Sequence, residues 1–191
     1  MTIIYFVRHA ESPFIEGKER SRALSVQGSL AAERVKEMLL NEGIDAILSS
    51  PYQRAKDTVQ PLADALGLPI AEQEDLRERM AGDFLGHSFL DAKKKLFQNP
   101  AYSFPGGESG KAAQSRAVRA FEEILNTYGG KRVAIGTHGD IMTLMLQHYD
   151  ERFDYHFWLG TTLPDIYRAE FEEGRLVNLA RLWSEHQEEG R

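Results

Sequence analysis

The chain has 191 residues, 42% of them hydrophobic and 27% charged, with a formal net charge of −6. That length suits one domain with a sizeable core, and that balance excludes a disordered chain. The mildly acidic total gives no electrostatic footprint for nucleic acid, and the absence of cysteine excludes thiol catalysis, disulfides and Cys-ligated zinc.

Ile3-Ile4-Tyr5-Phe6-Val7 is a short run rich in β-branched and aromatic residues, which reads as a buried strand. It is too short to span a membrane. No basic segment precedes it and no small-residue cleavage site follows, so it does not read as a signal peptide. The expectation is a cytoplasmic protein with no membrane partner. The run stops abruptly at Arg8-His9. In open α/β sheets ligands bind beyond the carboxyl ends of strands, so these two residues stand where chemistry usually happens.

An irregular basic stretch, Pro13 to Arg22, comes next. Ser25 to about Asn41 is predicted helical, with apolar Leu30, Val35, Met38 and Leu39 and a stop at Gly43. Asp45–Ser49 is a second short strand. Ser50-Pro51 opens a helix to about Leu66, which Pro61 is expected to break or restart. Pro69–Gln73 is a third strand. Residues 74–107 are the least regular, punctuated by Gly82, Gly86, Pro100, Pro105, Gly106 and Gly107, and they read as a functional lid. A long helix covers about Ser109–Tyr128 and ends at Gly129-Gly130. Then come a strand over 132–136, a helix over 140–148, and a hairpin of Asp165–Phe171 and Leu176–Leu182 turned by Glu173-Gly174. There is no internal repeat and no linker.

The later strand repeats the pattern of the first. Arg132–Gly136 runs into Thr137-His138-Gly139-Asp140. Arg54 lies one turn into the helix after the second strand. If the three strands are parallel neighbours, Arg8, His9, Arg54 and His138 converge on one crevice. Arginine suits bidentate capture of phosphate or carboxylate oxygens, and a neutral imidazole can be a nucleophile. That set suggests phosphoryl transfer to histidine, with the cations stabilising the transferring group. There is no P-loop, and no cluster of aspartates suggests a magnesium site. Against this stands the ordinary reading of an isolated His, Arg or Glu as a solvated residue. His87, His148, His156 and His186 have no such context and read as surface or core-edge residues. Phe14, Phe84 and Phe104 lie in irregular segments and are candidates to line a pocket.

Arg8-His9-Ala10-Glu11-Ser12 resembles the Arg-His-Gly/Ala motif of the histidine phosphatase superfamily, in the branch that holds the phosphoglycerate mutases. The likeness continues in family order through Leu24-Ser25-x-x-Gly28, Ser49-Ser50-Pro51-x-x-Arg54-Ala55-x-x-Thr58 and Leu76-Arg77-Glu78-Arg79-x-x-Gly82. Pro105-Gly106-Gly107-Glu108-Ser109 and Gly136-Thr137-His138-Gly139 complete it. The resemblance implies a single domain over 1–191 with a three-layer α/β/α sandwich, a mostly parallel sheet and a terminal antiparallel hairpin. It implies His9 as nucleophile, Arg8, Arg54 and His138 as phosphate ligands with Gly139 and Ser12 beside them, and Glu78 as proton donor. It requires no metal and no cofactor, only a small-molecule phosphate ester.

Two departures bear on the reaction. Relatives carry Asn six residues after the nucleophile, where this chain has Ile15, and Phe84 is followed by Leu85-Gly86 where relatives often have Glu-Gly. The chain is also shorter than typical mutases, which leaves less to enclose a phosphorylated intermediate. The reading is therefore hydrolysis. The alternatives are mutase-type transfer, or a phosphate-binding regulator without turnover. Lys18, Arg20 and Arg22 either form a solvated loop interleaved with Glu16 and Glu19, or reach over the pocket mouth to a second anionic group.

Overall fold

The structure is a computed structural model and describes residues 1–184; His186 lies outside them. In chain order the elements are β1 (Thr2–Arg8), α1 (Val26–Leu39), β2 (Ala46–Ser49), α2 (Gln53–Leu66) and β3 (Ile70–Glu72). A single 3-10 turn at Glu74–Leu76 leads to α3 (Phe89–Gln98), α4 (Gly110–Thr127), β4 (Arg132–Thr137), α5 (Gly139–Tyr149) and α6 (Tyr155–Leu159). The described chain closes with β5 (Asp165–Glu172) and β6 (Arg175–Arg181).

The six strands form one sheet in the order β3-β2-β4-β1-β5-β6. β3, β2, β4 and β1 are parallel, while β5 and β6 run antiparallel to β1 and to each other. Alternation along β1 divides the core. Ile4 and Phe6 face Phe121 and Ile124 of α4 and Ile141 and Met145 of α5. Ile3, Tyr5 and Val7 face Val35 and Leu39 of α1 and Val59 and Leu62 of α2. A strand covered on both faces must be apolar at every position, which is why β1 reads as an unbroken run. The three layers follow from that covering.

Register decides what the carboxyl edge presents. Arg8 pairs with Thr137 across β1–β4, and Ser49 pairs with Gly136 across β2–β4. Three strands therefore end level, and each hands its next residue to the same edge.

Two expectations need correction. α2 runs unbroken through Pro61. Proline costs an interior helix one hydrogen bond, but Thr58, Val59, Leu62 and Ala63 are buried around it. That packing outweighs local propensity, while Pro61 and Asp57, whose carbonyl loses its donor, stand half-exposed. The 74–107 segment also contains a helix. Ser88 caps α3, accepting from Asp91 N–H and donating to the Asp91 carboxylate, and Ala92, Lys93, Leu96 and Phe97 form one buried face. The glycines and prolines that suggested irregularity bracket this helix rather than interrupt it. The five-residue α6 had no sequence signal strong enough to separate it from a loop. Of the three loop aromatics, Phe104 is buried with Ala92 and Leu96, Phe84 packs against that cluster, and Phe14 is exposed. His87, His148 and His156 lie on the surface. Among the described residues no helix is long and apolar enough to cross a membrane.

Pro61→Ala should restore the missing helix bond. A gain on the order of 1–2 kcal/mol is expected after the lost proline rigidity of the unfolded chain is set against it. A urea midpoint at or below that of the parent would show that α2 has already relaxed around the proline.

Candidate active site

His9 directly follows β1, and its backbone N–H still donates to Thr137 O at 2.9 Å. The side chain is buried. Its Nδ1 lies 2.7 Å from Ala10 O, and a carbonyl can only accept, so Nδ1 carries the hydrogen. In the neutral ring the lone pair then sits on Nε2. Arg54 Nε donates to that atom at 3.2 Å. Ala10 N–H donates to Thr58 Oγ1 at 2.9 Å, and Thr58 Oγ1 donates to Arg54 O at 2.7 Å, so α2 clamps the chain beyond the strand. Burial, and after it the Arg54, Arg8 and Arg22 charges, hold His9 well below the ordinary histidine range.

His138 stands at the start of α5, its ring 5.2 Å from that of His9. Its Nε2 lies 2.6 Å from Ser50 Oγ, and its buried Nδ1 has no hydrogen-bond partner. Burial and the Arg54 charge keep it well below the ordinary range as well. Tyr52 packs edge-on against His138 at 5.2 Å and lies under the Arg54 guanidinium at 4.9 Å. Arg54 is 2% exposed. Its Nη1 donates to Glu19 O at 2.6 Å and its Nη2 lies 3.4 Å from the Glu19 carboxylate. Arg8 donates through Nη1 to Thr161 Oγ1 at 2.5 Å, while its buried Nε has no partner. Burial lowers the pKa of both arginines, which makes an anion a welcome neighbour. A Cβ on Gly139 would come within 3.1 Å of the Arg8 guanidinium, a tight contact that glycine spares where that group lies across the start of α5.

Glu78 reaches the same place from the other side. Its Oε1 accepts from Arg79 N at 2.9 Å and Ile141 N at 3.0 Å, and its Oε2 accepts from Asp140 N at 3.2 Å. The carboxyl thus caps the first turn of α5, two residues past His138. Arg116 on α4 fixes its approach. Its Nε and Nη2 fork onto Glu108 at 2.8 Å each, and its Nη1 donates to Asp75 O at 2.6 Å and Arg77 O at 3.0 Å. Burial, then the Asp140 charge, raise the Glu78 pKa against the opposing pull of Lys93, the Arg79 N–H bond and Arg54. The helix N–H bonds favour the ionised carboxylate, so desolvation is the larger effect.

The five candidate residues of the motif blocks therefore meet. The loop residues divide. Ser12 Oγ donates to Ala23 O at 2.7 Å, which ties the loop to itself. Arg20 is bidentate on Glu74 at 2.9 Å, with both side chains 57% exposed. Lys18 is exposed. Arg22 alone turns inward, donating to Ser12 O at 2.7 Å with Nε 3.4 Å from the Glu19 carboxylate. Sequence reasoning passed over Ser50, Tyr52, Asp140, Lys93, Arg116 and Thr161. Asp140 sits in the histidine block itself, and Ser50 and Tyr52 flank the Pro51 that opens the second-arginine block, so those three were within reach. Lys93, Arg116 and Thr161 come from segments with no such marker.

The model of the histidine phosphatase superfamily (branch 1) matches residues 4–182. The chain belongs to this superfamily. A putative phosphoserine phosphatase 2 from Hydrogenobacter thermophilus is 32% identical over 151 residues, 73% of this chain and 74% of that protein. The uncharacterized phosphatase PhoE of Bacillus subtilis is 28% identical over 150 residues, 76% of each chain. In fold the chain is similar to a phosphoserine phosphatase from Entamoeba histolytica in complex with 3-phosphoglyceric acid. The TM-score there is 0.78 at 20% identity, covering 97% of this chain and 99% of that one.

If a nucleophilic His9 must be neutral and an acidic Glu78 must be protonated, kcat/KM is bell-shaped in pH. Activity falls as pH drops through the pKa of His9, which is lowered, so the acid limb lies well below the ordinary histidine value of about 6.5. It falls again as pH rises through the pKa of Glu78, which is raised, so the upper limb lies above the usual carboxylate range. Steady-state rates across pH on one alkyl phosphate check this. An acid limb at or above pH 6.5 would contradict it.

Proposed function

We propose that the protein is a phosphomonoesterase that hydrolyses a small phosphorylated metabolite through a phosphohistidine on His9. The observation that carries this reading is the lone pair on His9 Nε2, held within reach of Arg54 by the bond from Nδ1 to Ala10 O. In the first step Nε2 attacks phosphorus and the P–O bond to the alcohol breaks. Glu78 gives its proton to the departing oxygen. In the second step Glu78, now a carboxylate, takes a proton from water, which displaces the phosphate from His9. Arg8, Arg54 and His138 hold the non-bridging oxygens, and the Gly139 N–H at the start of α5 adds a backbone donor. Charge on the transferring group is met by guanidinium groups, so neither step draws on a metal ion. Arg54 exchanges Glu19 for the phosphate when substrate binds.

The relatives support hydrolysis and a substrate class. One is called a putative phosphoserine phosphatase, and another binds 3-phosphoglyceric acid. Both of those small molecules carry a carboxylate near the phosphate. Arg22 supplies a cation for such a group, since its charge already reaches His9, His138 and Arg54. Lys18 and Arg20 belong to the solvated part of the loop.

His9→Ala should abolish turnover with the fold intact, and labelling quenched with detergent at alkaline pH should trap a phosphoenzyme, lost on later acid treatment, only in the parent. Near-parental activity in the variant would end the proposed mechanism. Glu78→Gln should cost most for alkyl phosphates and least for p-nitrophenyl phosphate, whose leaving group needs little protonation. Equal losses would remove Glu78 from the acid role.

Arg22→Met should raise KM for phosphoserine and 3-phosphoglycerate at least tenfold, the scale of a charge-assisted hydrogen bond worth about 1.5–3 kcal/mol. It should leave p-nitrophenyl phosphate nearly unchanged, and the Lys18→Ala/Arg20→Ala double variant should spare both. Parallel losses on both substrate types would assign selection to another segment.

A further inference from the structure

Lys93 is an unusual residue to find inside a protein. It lies on the buried face of α3, and its Nζ donates to Asp140 Oδ2 at 2.7 Å. The two side chains are 7% and 1% exposed. The ammonium also lies 5.4 Å from the Phe89 ring centre and 5.7 Å from that of Trp158, so aromatic walls screen it from water. A buried ion pair is weak evidence for stability, because desolvation offsets most of the attraction. A simple clamp between α3 and α5 would be served as well by apolar side chains. What an apolar pair could not do is act on the neighbour. The backbone N–H of Asp140 is one of the three donors on the Glu78 carboxyl, and the Asp140 charge sits beside it.

We propose that Lys93 and Asp140 are positioning residues for Glu78: Asp140 keeps a proton on the catalytic carboxyl, and Lys93 limits how firmly it is kept. The proposal rests on the reading of Glu78 as general acid. A carboxyl that must give its proton in one step and take one in the next works best when neither form is strongly favoured. Asp140 alone, unpaired in a dry site, would bind that proton too tightly. Lys93 alone would strip it. The pair leaves a moderated bias, and it hands part of the control of the acid to α3.

The other charged and titratable groups facing Glu78 come from every side. They are Arg8 at the end of β1, Tyr52 and Arg54 at the start of α2, and the adjacent Arg79. Arg116 of α4, paired with Glu108, donates to the Glu78 carbonyl at 3.4 Å. His138 stands two residues before Asp140 on the same turn. All of these stay in place in the variants that follow.

Lys93→Gln and Asp140→Asn each remove one charge and keep a hydrogen-bonding group. The readout is the pH profile of kcat/KM on an alkyl phosphate. Lys93→Gln should move the upper limb to higher pH, by about half a unit or more, and Asp140→Asn should move it to lower pH. The double variant should fall between them. Lys93→Arg, which keeps the charge, should leave the limb where the parent has it. The acid limb should stay in place throughout. A packing role predicts loss of activity without opposite displacements of one limb. Shifts of the same sign, or no shift in either folded variant, would overturn the proposal. Glu78→Gln separates this failure from failure of the underlying reading. If the upper limb survives in that variant, Glu78 is not the acid. If it vanishes there but stays fixed in the other two, only the role of Lys93 and Asp140 falls.

Discussion

The site depends on the parallel pairing of β1 with β4. Arg8 sits level with Thr137, and the ladder continues one step further through the bond from His9 N to Thr137 O. That register puts two imidazoles 5.2 Å apart although 128 residues of chain lie between them. A slip of one residue would turn every side chain of β1 to the opposite face. It would expose Ile4 and Phe6 to the wrong layer, so the cores on both faces of the sheet defend the geometry of the edge. The arrangement at the edge is stabilised by burial within the two layers of the core. β2 adds Ser50 and the start of α2 at the same level, because Ser49 pairs with Gly136. Gly136 itself has no room for a side chain, as a Cβ there would approach Ser49 Oγ to 2.7 Å.

A second constraint is electrostatic. Arg8, Arg54 and Arg22 gather around two histidines in a chain whose total charge is negative. The cations alone would be costly to bury. Glu19 supplies an internal anion by offering Arg54 both its carbonyl and its carboxylate, and it also faces Arg22. Asp165, buried at the start of β5 opposite Arg8, plays a similar part together with Asp140. On the proposed function, a phosphate ester arriving at this edge would compete with Glu19 rather than fill an uncompensated hole.

How much of this was legible in the sequence varies by element. β1, β4 and the helix starts were readable because their signals are local: unbroken apolar runs, a capping serine, a glycine stop. The five residues that meet at the edge were readable because each follows a recognisable block. α3 was missed because its bracketing glycines and prolines dominate the window, although Ser88 and Asp91 marked its start. Pro61 misled because propensity is a local quantity and the burial of Leu62 and Val59 is not. Arg116 and Lys93 could not be found by any local rule. Both are ordinary helix residues whose roles come from partners 38 and 47 positions away. The division among Lys18, Arg20 and Arg22 was equally hidden, since Arg20 is held by Glu74 and the Tyr52 ring, both distant in sequence.

The two ends of the proposed reaction ask for opposite perturbations within one small volume. A histidine must stay neutral and a carboxylic acid must stay protonated, so both groups must disfavour charge. Burial does this for each, and it needs no specific partner. The neighbours then differ. Cations stand nearest His9 and reinforce its neutrality, but the same cations would ionise Glu78. Glu78 therefore needs an anion of its own, and α5 provides Asp140 on the turn that also supplies its N–H donors. An isolated anion there would overcorrect, and the cation bonded directly to it, Lys93, is carried by α3. On this argument the inserted helix is part of the charge balance of the site, and its single buried lysine links the outer wall of the molecule to the proton that moves.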